Sequence, residues 1–381
     1  MPRRCILHVG APKTGTTYLQ DVLWGSTAEL RAQGFRLPLR NVQDHFFLTL
    51  DLRGRLDPAM DPAGAFDVLE RFRKDLRRPG TEHLIVSHEL LAPVEQDRID
   101  EFLDMLSGFE VHVVITARDL ARQVPAEWQQ HVKTRSELTY GKFVTQIVRE
   151  RTGHFWAVQD VASVAERWGR SLPAEQVHIV TVPPSGTSLE ELLNRFCAAV
   201  GLDPAGLRRD EVRLNRSIGY EQTELLRRIN VALGDRLPHP RQGYNGTVKF
   251  WFAEAVLSAQ QPRQRLVLPA HRWEWCVDVS REIVERIEKA GYEVNGNLAD
   301  LMPSLAATAD LHPPTDTDVA TSAVEAIAAM LDDRHRRNRR LARQTVGLPG
   351  PTSGLSLPVG PATVADRLRG SAVRLARRVR G

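Results

Sequence analysis

Four short runs of apolar, often β-branched residues stand out along the chain, and a turn or a helical pattern follows each run. The runs cover residues 6–9, 84–87, 111–116 and 177–182. Between them, apolar residues recur at helical spacing within polar segments, which predicts helices that alternate with the strands. This alternation predicts an α/β fold, with a parallel β-sheet flanked by helices on both faces.

The part of the chain after residue 182 has mainly helical patterns. Gly201 and Gly291 lie where two of these helices should stop. The helices are predicted over residues 189–200, 220–233, 250–258 and 277–290. We predict one catalytic domain over residues 1–302.

The composition changes after residue 302. Residues 303–317 are predicted to form a linker, and residues 318–381 a polar helical and partly disordered basic tail. The last segment, 362–381, has apolar residues at helical spacing among arginines, a pattern that allows a basic amphipathic helix on an anionic membrane surface. A solvated tail, or a helix packed back on its own domain, is the interpretation that we favour slightly.

The first strand ends in a glycine-rich turn with the composition of a phosphate-binding loop. Gly10 and Gly15 bracket the turn, Lys13 lies inside it, and Thr16 and Thr17 begin the helical pattern that follows. In a strand–loop–helix unit of this kind, backbone N–H groups and the positive end of the helix dipole bind an anion. We therefore predict that this loop binds a phosphate group.

The position of the lysine distinguishes this loop from the nucleoside-triphosphate loop. The triphosphate loop has its lysine directly after the second glycine, whereas this chain has Thr16 there and Lys13 two residues before Gly15. The string Pro-Lys-Thr-Gly-Thr-Thr at 12–17 resembles the 5′-phosphosulfate loop of sulfotransferases that use 3′-phosphoadenosine 5′-phosphosulfate (PAPS). The resemblance implies a P-loop-like sulfotransferase fold with a helical C-terminal extension, in which Lys13 meets the bridging oxygen of PAPS. The residues implied to bind its 5′-phosphate are Lys13, Thr14, Gly15, Thr16 and Thr17.

Arg118 directly follows the run at 111–116, at a sheet edge where its guanidinium can hold a phosphate with two N–H groups. In the sulfotransferases, an arginine here and a serine eight residues later bind the 3′-phosphate of the donor. The arginine is present in this chain, but the eighth residue is Ala126. We predict that Arg118 binds the 3′-phosphate and that Arg122 compensates for the missing serine. The alternative is a surface arginine that pairs with Asp119 or Glu127.

Two side chains that can accept a proton follow the run at 84–87. Cytosolic sulfotransferases have a Thr-His pair after this strand, and the histidine of the pair deprotonates the acceptor. Other branches of the family use a glutamate. This chain has His88 and Glu89 at this place. A neutral imidazole, with an ordinary pKa of about 6.5, suits this task. We predict that His88 is the base and that Glu89 orients it or replaces it. A packing role for His88 and a capping role for Glu89 are the alternative.

Two further pairs are weaker candidates. Asp44 and His45 lie in a region where carbohydrate sulfotransferases place an acidic or histidine group. We predict that they bind the acceptor, and a role as the base is the alternative. Arg216 and Ser217 precede a helical pattern and are predicted to contact the donor through a late loop. An ordinary helix start is the alternative for Arg216 and Ser217.

Composition narrows the classes of partner. A net charge of +4 is small for 381 residues and gives no support for a nucleic-acid partner. Cys5, Cys197 and Cys276 are too far apart for a disulfide framework or a metal motif, and we expect no bound metal. No apolar run approaches the roughly 20 residues of a transmembrane helix. We therefore expect a cytoplasmic protein.

Together these patterns predict a sulfotransferase of the bacterial type. It would move a sulfuryl group from PAPS to a hydroxyl or amine of a carbohydrate, glycolipid or small-molecule acceptor. Two alternatives stay open: a P-loop kinase or nucleoside triphosphatase, against which Thr16 counts, and a non-catalytic nucleotide-binding protein with a decayed donor site, which Ala126 allows.

Overall fold

Six parallel strands form one sheet in the computed structural model, which describes residues 3–80, 82–209, 218–237 and 240–346. The strands of the chain are β1 (Arg4–Gly10), β2 (Phe35–Arg36), β3 (His83–Ser87), β4 (Glu110–Ala117), β5 (Val177–Thr181), β6 (Leu268–Pro269), β7 (Glu293–Asn295) and β8 (Thr308–Ala309). The sheet has the order β2-β3-β1-β4-β5-β7, and β6 and β8 form a separate parallel pair. The predicted α/β fold with a parallel sheet is confirmed.

Helices connect and cover these strands. They are α1 (Thr16–Gly25), α2 (Thr27–Ala32), α3 (Val42–Leu52), α4 (Val68–Leu76), α5 (Gln96–Met105), α6 (Leu120–Lys133), α7 (Tyr140–Arg149), α8 (His154–Gln159), α9 (Val161–Trp168), α10 (Leu189–Val200), α11 (Tyr220–Leu233), α12 (Trp273–Ala290) and α13 (Asp316–Val346). Within the described ranges, none of the helices has both the length and the apolar character needed to cross a bilayer.

The four predicted strands match β1, β3, β4 and β5, whose apolar residues are buried against helices. On one face, Ile6 of β1 and Val114 of β4 pack with Leu19 of α1 and with Leu192 and Phe196 of α10. Because strands buried on both faces are continuously apolar, their sequence signal is strong. The edge strands β2 and β7 have only two and three residues, which is too short for a periodic signal, and the sequence did not predict them.

Two predicted helices, 189–200 and 220–233, coincide with α10 and α11. Gly201 ends α10 and Gly291 ends α12, both in the left-handed conformation that glycine adopts readily. The helix predicted over 250–258 is instead the end of a π-helix, Pro240–Val256, followed by a short 3₁₀ turn. Two glycines in the first half of this π-helix obscure its pattern in the sequence.

Internal contacts divide the chain into two units, residues 1–329 and 330–381. All of the site residues described below belong to the first unit. The domain boundary at 302 and the linker over 303–317 stay predictions. Arg216, Ser217 and the basic segment 362–381 lie outside the described residues, so their predicted roles stay predictions.

Candidate functional site

The loop after β1 lies at the carboxyl edge of the sheet, where it is tied to β4. The backbone N–H of Ala11 donates to the Thr116 carbonyl oxygen (2.8 Å), and the Thr116 hydroxyl donates to the Gly10 carbonyl oxygen (2.9 Å). The Thr14 hydroxyl is buried, donates to the Ala11 carbonyl oxygen and contacts the Thr116 hydroxyl. Because this hydroxyl is already occupied inside the protein, Thr14 offers an anion only its backbone.

Gly15 brings the loop into the first turn of α1. Its φ of +89° is in the left-handed region, and a Cβ placed there would lie 2.6 Å from Cδ2 of Leu192. The first helical hydrogen bond runs from Leu19 N–H to the Gly15 carbonyl oxygen, and no side chain caps this N-terminus. The backbone N–H groups of Thr16 and Thr17 therefore belong to the orphan donors of a helix start, which bind anions.

Lys13 is partly buried at the top of this loop. Its Nζ donates to Oε1 of Gln130 on α6, across 2.5 Å. Burial lowers the pKa of the Lys13 ammonium below its ordinary value, and nearby carboxylates oppose this shift. The charged groups that act on it most are Glu127, Lys249, Glu89 and Glu254.

Arg118 lies directly beside the loop. Its Nη1 donates to the carbonyl oxygen of Lys13 (3.2 Å), while its Nε is buried without a partner among the described residues. Burial, and then the nearby charges of Arg122 and Arg265, lower the pKa of Arg118 to about 10. A guanidinium with a buried, unsatisfied Nε among other arginines is an environment that favours an anion. Arg265, in an irregular segment before β6, had no signal in the sequence.

Asp119 pairs with Arg122 and not with Arg118. The Asp119 carboxylate caps α6, since it accepts hydrogen bonds from both the side chain and the backbone N–H of Arg122. Nη1 of Arg122 also donates to the Pro183 carbonyl oxygen (3.1 Å). Arg122 is thus held by the protein close to Arg118. Ala126 lies in the middle of α6.

His88 and Glu89 follow β3 at the same sheet edge, but their hydrogen bonds give them different capacities. Nδ1 of His88 accepts from the backbone N–H of Leu90 (3.2 Å), so in the neutral ring the proton lies on Nε2. Burial lowers the pKa of His88, and the neighbouring Glu89 carboxylate opposes this shift. Nδ1, the ring nitrogen that could take up a proton, is therefore already engaged in a hydrogen bond.

The Glu89 carboxylate is 26% exposed and accepts from Nε2 of Gln20 (3.1 Å). Burial alone would raise its pKa, but the charges of His88 and Lys13 and the bond from Gln20 bring it below the ordinary value. Glu89 is thus an ionised carboxylate, partly open to solvent and close enough to Lys13 for their charges to interact. This is the state that a general base needs.

With the site described, the chain can be compared with known proteins. No family model matches it, and no curated protein matches it. Among solved structures, it is similar to a sulfotransferase from Alicyclobacillus acidocaldarius, with 16% identity and a TM-score of 0.35 over 61% of this chain and 94% of that one. It is also similar to the sulfotransferase domain from the curacin biosynthetic pathway, with 14% identity and a TM-score of 0.30 over 55% and 78% of the two chains. At these identities and TM-scores, neither likeness supports a functional assignment.

Asp44 and His45 lie at the start of α3, and both are buried. The Asp44 carboxylate accepts hydrogen bonds from Arg40 and Arg71. These contacts lower the pKa of Asp44, and the contact with Arg40 has the larger effect. In the fully buried His45, Nε2 lies 2.9 Å from the Pro38 carbonyl oxygen, and Nδ1 accepts from the backbone N–H of Ser87. These contacts position the end of β3, and acceptor binding by Asp44 and His45 stays a prediction.

The sequence did not predict the polar face of α6 as part of the site. Gln123, Glu127 and Gln130 are four and three residues apart, which places them on one side of the helix facing the loop. Their spacing was the available signal, but it is equally typical of a solvated face. The described residues contain no group of three or more histidine, cysteine or acidic side chains that could hold a metal ion.

Proposed function

We propose that this chain is a PAPS-dependent sulfotransferase. The observation that carries the proposal is the hydrogen bond from Arg118 to the Lys13 carbonyl oxygen. It places a guanidinium with an unsatisfied Nε directly beside a loop that presents a lysine and a helix N-terminus. Two adjacent anion sites of this kind suit a nucleotide with a 5′-phosphosulfate and a separate 3′-phosphate.

Each anionic group of the donor then has a defined partner. The backbone N–H groups of Gly15, Thr16 and Thr17 bind the 5′-phosphate at the start of α1. Arg118 binds the 3′-phosphate, and Arg265 adds positive charge at the same place. Arg122, held by Asp119, supports this side of the site through its charge.

In the transfer step, the acceptor hydroxyl gives its proton to the Glu89 carboxylate as its oxygen bonds to sulfur. The bond between sulfur and the bridging oxygen breaks, and its electron pair stays on the phosphate of the product, 3′-phosphoadenosine 5′-phosphate (PAP). The Lys13 ammonium stabilises the charge that develops on that oxygen. We assign the base to Glu89 rather than to His88 because Nδ1 of His88 already accepts from Leu90.

Thr16 remains the main objection to a kinase or triphosphatase, because the lysine of that loop type follows the second glycine. A decayed, non-catalytic donor site is disfavoured by the unsatisfied Arg118 and the ionised Glu89 beside Lys13. The acceptor classes are those of the sequence prediction: a carbohydrate, a glycolipid or a small molecule with a hydroxyl or amine. We further propose that the reaction takes place in the cytoplasm.

Calorimetric titration with PAP, 5′-AMP and ATP tests the donor assignment. We expect PAP to bind at least tenfold more tightly than 5′-AMP, because only PAP carries the group that Arg118 binds. Transfer from ³⁵S-labelled PAPS to a panel of glycolipid, aminoglycoside and phenol acceptors then tests catalysis. Tighter binding of ATP than of PAP would support the kinase alternative, and PAP binding without any transfer would support the non-catalytic one.

A further inference from the structure

The loop that carries Lys13 rests on buried side-chain amides. Nε2 of Gln123 donates to the Pro12 carbonyl oxygen (2.9 Å) and to Oε1 of Gln159 (2.7 Å). Nε2 of Gln159 in turn lies 3.3 Å from the same Pro12 oxygen. Gln123 and Gln159 are 1% and 2% exposed, so this support is shielded from water. The residue directly before Lys13 is therefore fixed from α6 and α8.

The same amides hold a carboxylate. Nε2 of Gln159 also donates to Oε1 of Glu127 (3.0 Å), and Glu127 is only 2% exposed. The second oxygen, Oε2, lies 3.9 Å from Nε2 of His131. Burial lowers the pKa of His131, so this ring is a poor source of positive charge for Glu127. A buried carboxylate is costly without a cation near it.

Lys13 is the cation that this geometry provides. It lies on the same side of α6 as Glu127, because its Nζ bonds to Gln130, three residues after Glu127. Burial raises the pKa of Glu127, and Lys13 is the strongest influence that opposes this rise. Conversely, Glu127 is the strongest influence that opposes the lowering of the Lys13 pKa by burial. The charge coupling is thus mutual.

The other charges around Lys13 do not replace Glu127. On α6 and on the π-helix, Lys133 and Lys249 disfavour a further positive charge, while Glu254 on the π-helix favours it. Glu89, after β3, also favours it, but in the proposed reaction this carboxylate becomes neutral when it takes the acceptor proton. Of the two carboxylates that take no proton in that reaction, Glu127 has the stronger influence on Lys13 and Glu254 the weaker one.

We propose that Glu127 is a positioning residue that keeps the Lys13 side chain in its ammonium form, with Gln159 holding the carboxylate and Gln130 orienting the amine. The catalytic importance of this charge rests on the proposed function, since the ammonium would stabilise the leaving phosphate. The proposed coupling between Glu127 and Lys13 does not depend on whether the chain transfers a sulfuryl group. It can therefore be measured without an acceptor.

The chain contains only six lysines, so a spectrum of the full chain with ¹³C-labelled lysine has six Cε resonances. Lys13→Arg identifies the Lys13 resonance by its loss. We expect Glu127→Gln to lower the pKa of Lys13 by about 1 unit or more, because it removes a buried opposite charge. Glu127→Asp, which restores the charge, should recover part of the shift.

Glu254→Gln is the matched control, since it removes a carboxylate with a weaker influence on Lys13. A smaller shift in Glu254→Gln than in Glu127→Gln supports the proposal. The proposal is overturned if the Lys13 pKa is unchanged in Glu127→Gln while the other five resonances stay in place. It is also overturned if Glu254→Gln shifts the Lys13 pKa as much as Glu127→Gln or more. If sulfuryl transfer is found, the basic limb of its pH–rate profile should move to lower pH in Glu127→Gln. If Glu127→Gln shifts the Lys13 pKa but the chain has no transfer activity, the coupling stands and the proposed function is overturned.

Discussion

The backbone N–H of Leu90 donates a hydrogen bond to Nδ1 of His88, and this bond decides how the two side chains after β3 can act. It turns His88 into the N-cap of a short 3₁₀ turn and leaves a proton on its other ring nitrogen. The neighbouring Glu89 carboxylate remains ionised beside Lys13. The sequence predicted His88 as the base with Glu89 to orient or replace it, and the geometry favours the replacement.

Replacing these two residues separately tests the assignment. His88→Asn keeps a side-chain oxygen that can accept from Leu90, so it removes the imidazole without removing the cap. We expect His88→Asn to retain most of the transfer rate and Glu89→Gln to lose about 10²–10⁴-fold in kcat, measured with labelled PAPS. The reverse order of losses would return the base to His88.

Lys13→Ala should reduce kcat by at least about 10²-fold, corresponding to roughly 3 kcal/mol or more, because the ammonium acts on charge that develops during bond breaking. The measurement is steady-state transfer from PAPS with matched circular dichroism. Lys142→Ala is the control, because Lys142 is an exposed lysine on α7. Normal turnover in a folded Lys13→Ala variant would rule out this role of the loop.

Arg118→Met should weaken PAP binding by about 10-fold to 100-fold, the loss of one charge-assisted phosphate contact. Binding of 5′-AMP, which lacks the 3′-phosphate, should change little, so that calorimetry with the two nucleotides forms a double-mutant cycle. Equal losses for both ligands would show that Arg118 acts on the loop and not on the 3′-phosphate. Ala126→Ser provides a second check, since a serine there should leave PAP affinity unchanged or raise it.

The free energy of unfolding should fall as the pH drops from about 6.5 to 4. Burial lowers the pKa of the fully buried His8 and His45 to about 4, whereas the unfolded chain takes up these protons near 6.5. The unfolded state therefore binds more protons in this window, and each histidine can cost about 3 kcal/mol by its lower end.

Urea unfolding at several pH values measures this loss. His8→Gln can keep contacts to Ser87 and Thr116 without titrating, and it should reduce the slope of unfolding free energy against pH. His312→Gln, at an exposed histidine, should leave the slope unchanged. Equal slopes for wild type and His8→Gln would contradict the assignment.

The sequence predicted those elements whose signal is local. The four buried strands, and α10 and α11 with their bounds, were found because apolar spacing and glycine stops lie within each segment. The edge strands β2 and β7 were missed because their pairing partners, and not their own residues, make them strands.

The same distinction applies to the site. The loop and Arg118 each have a local signal, since the loop is a glycine-rich turn directly after β1 and Arg118 directly follows β4. The orientation of His88 depends on a backbone N–H two residues away, and the setting of Glu127 depends on Gln159, 32 residues later. The hydrogen-bond partners of His88 and Glu127 are set by tertiary packing, which motif spacing does not encode.

The scarcity of lysine gives the site a distinctive chemical reactivity. Three of the six lysines, Lys13, Lys133 and Lys249, are close enough for their charges to interact, and burial, followed by the charge of Lys13, lowers the pKa of Lys133 to about 8. At mildly alkaline pH, a large fraction of Lys133 is therefore a free amine, whereas an ordinary lysine remains almost fully protonated. A small acylating reagent at limiting concentration should consequently label the candidate site before the exposed surface, and peptide mass mapping would locate the label there.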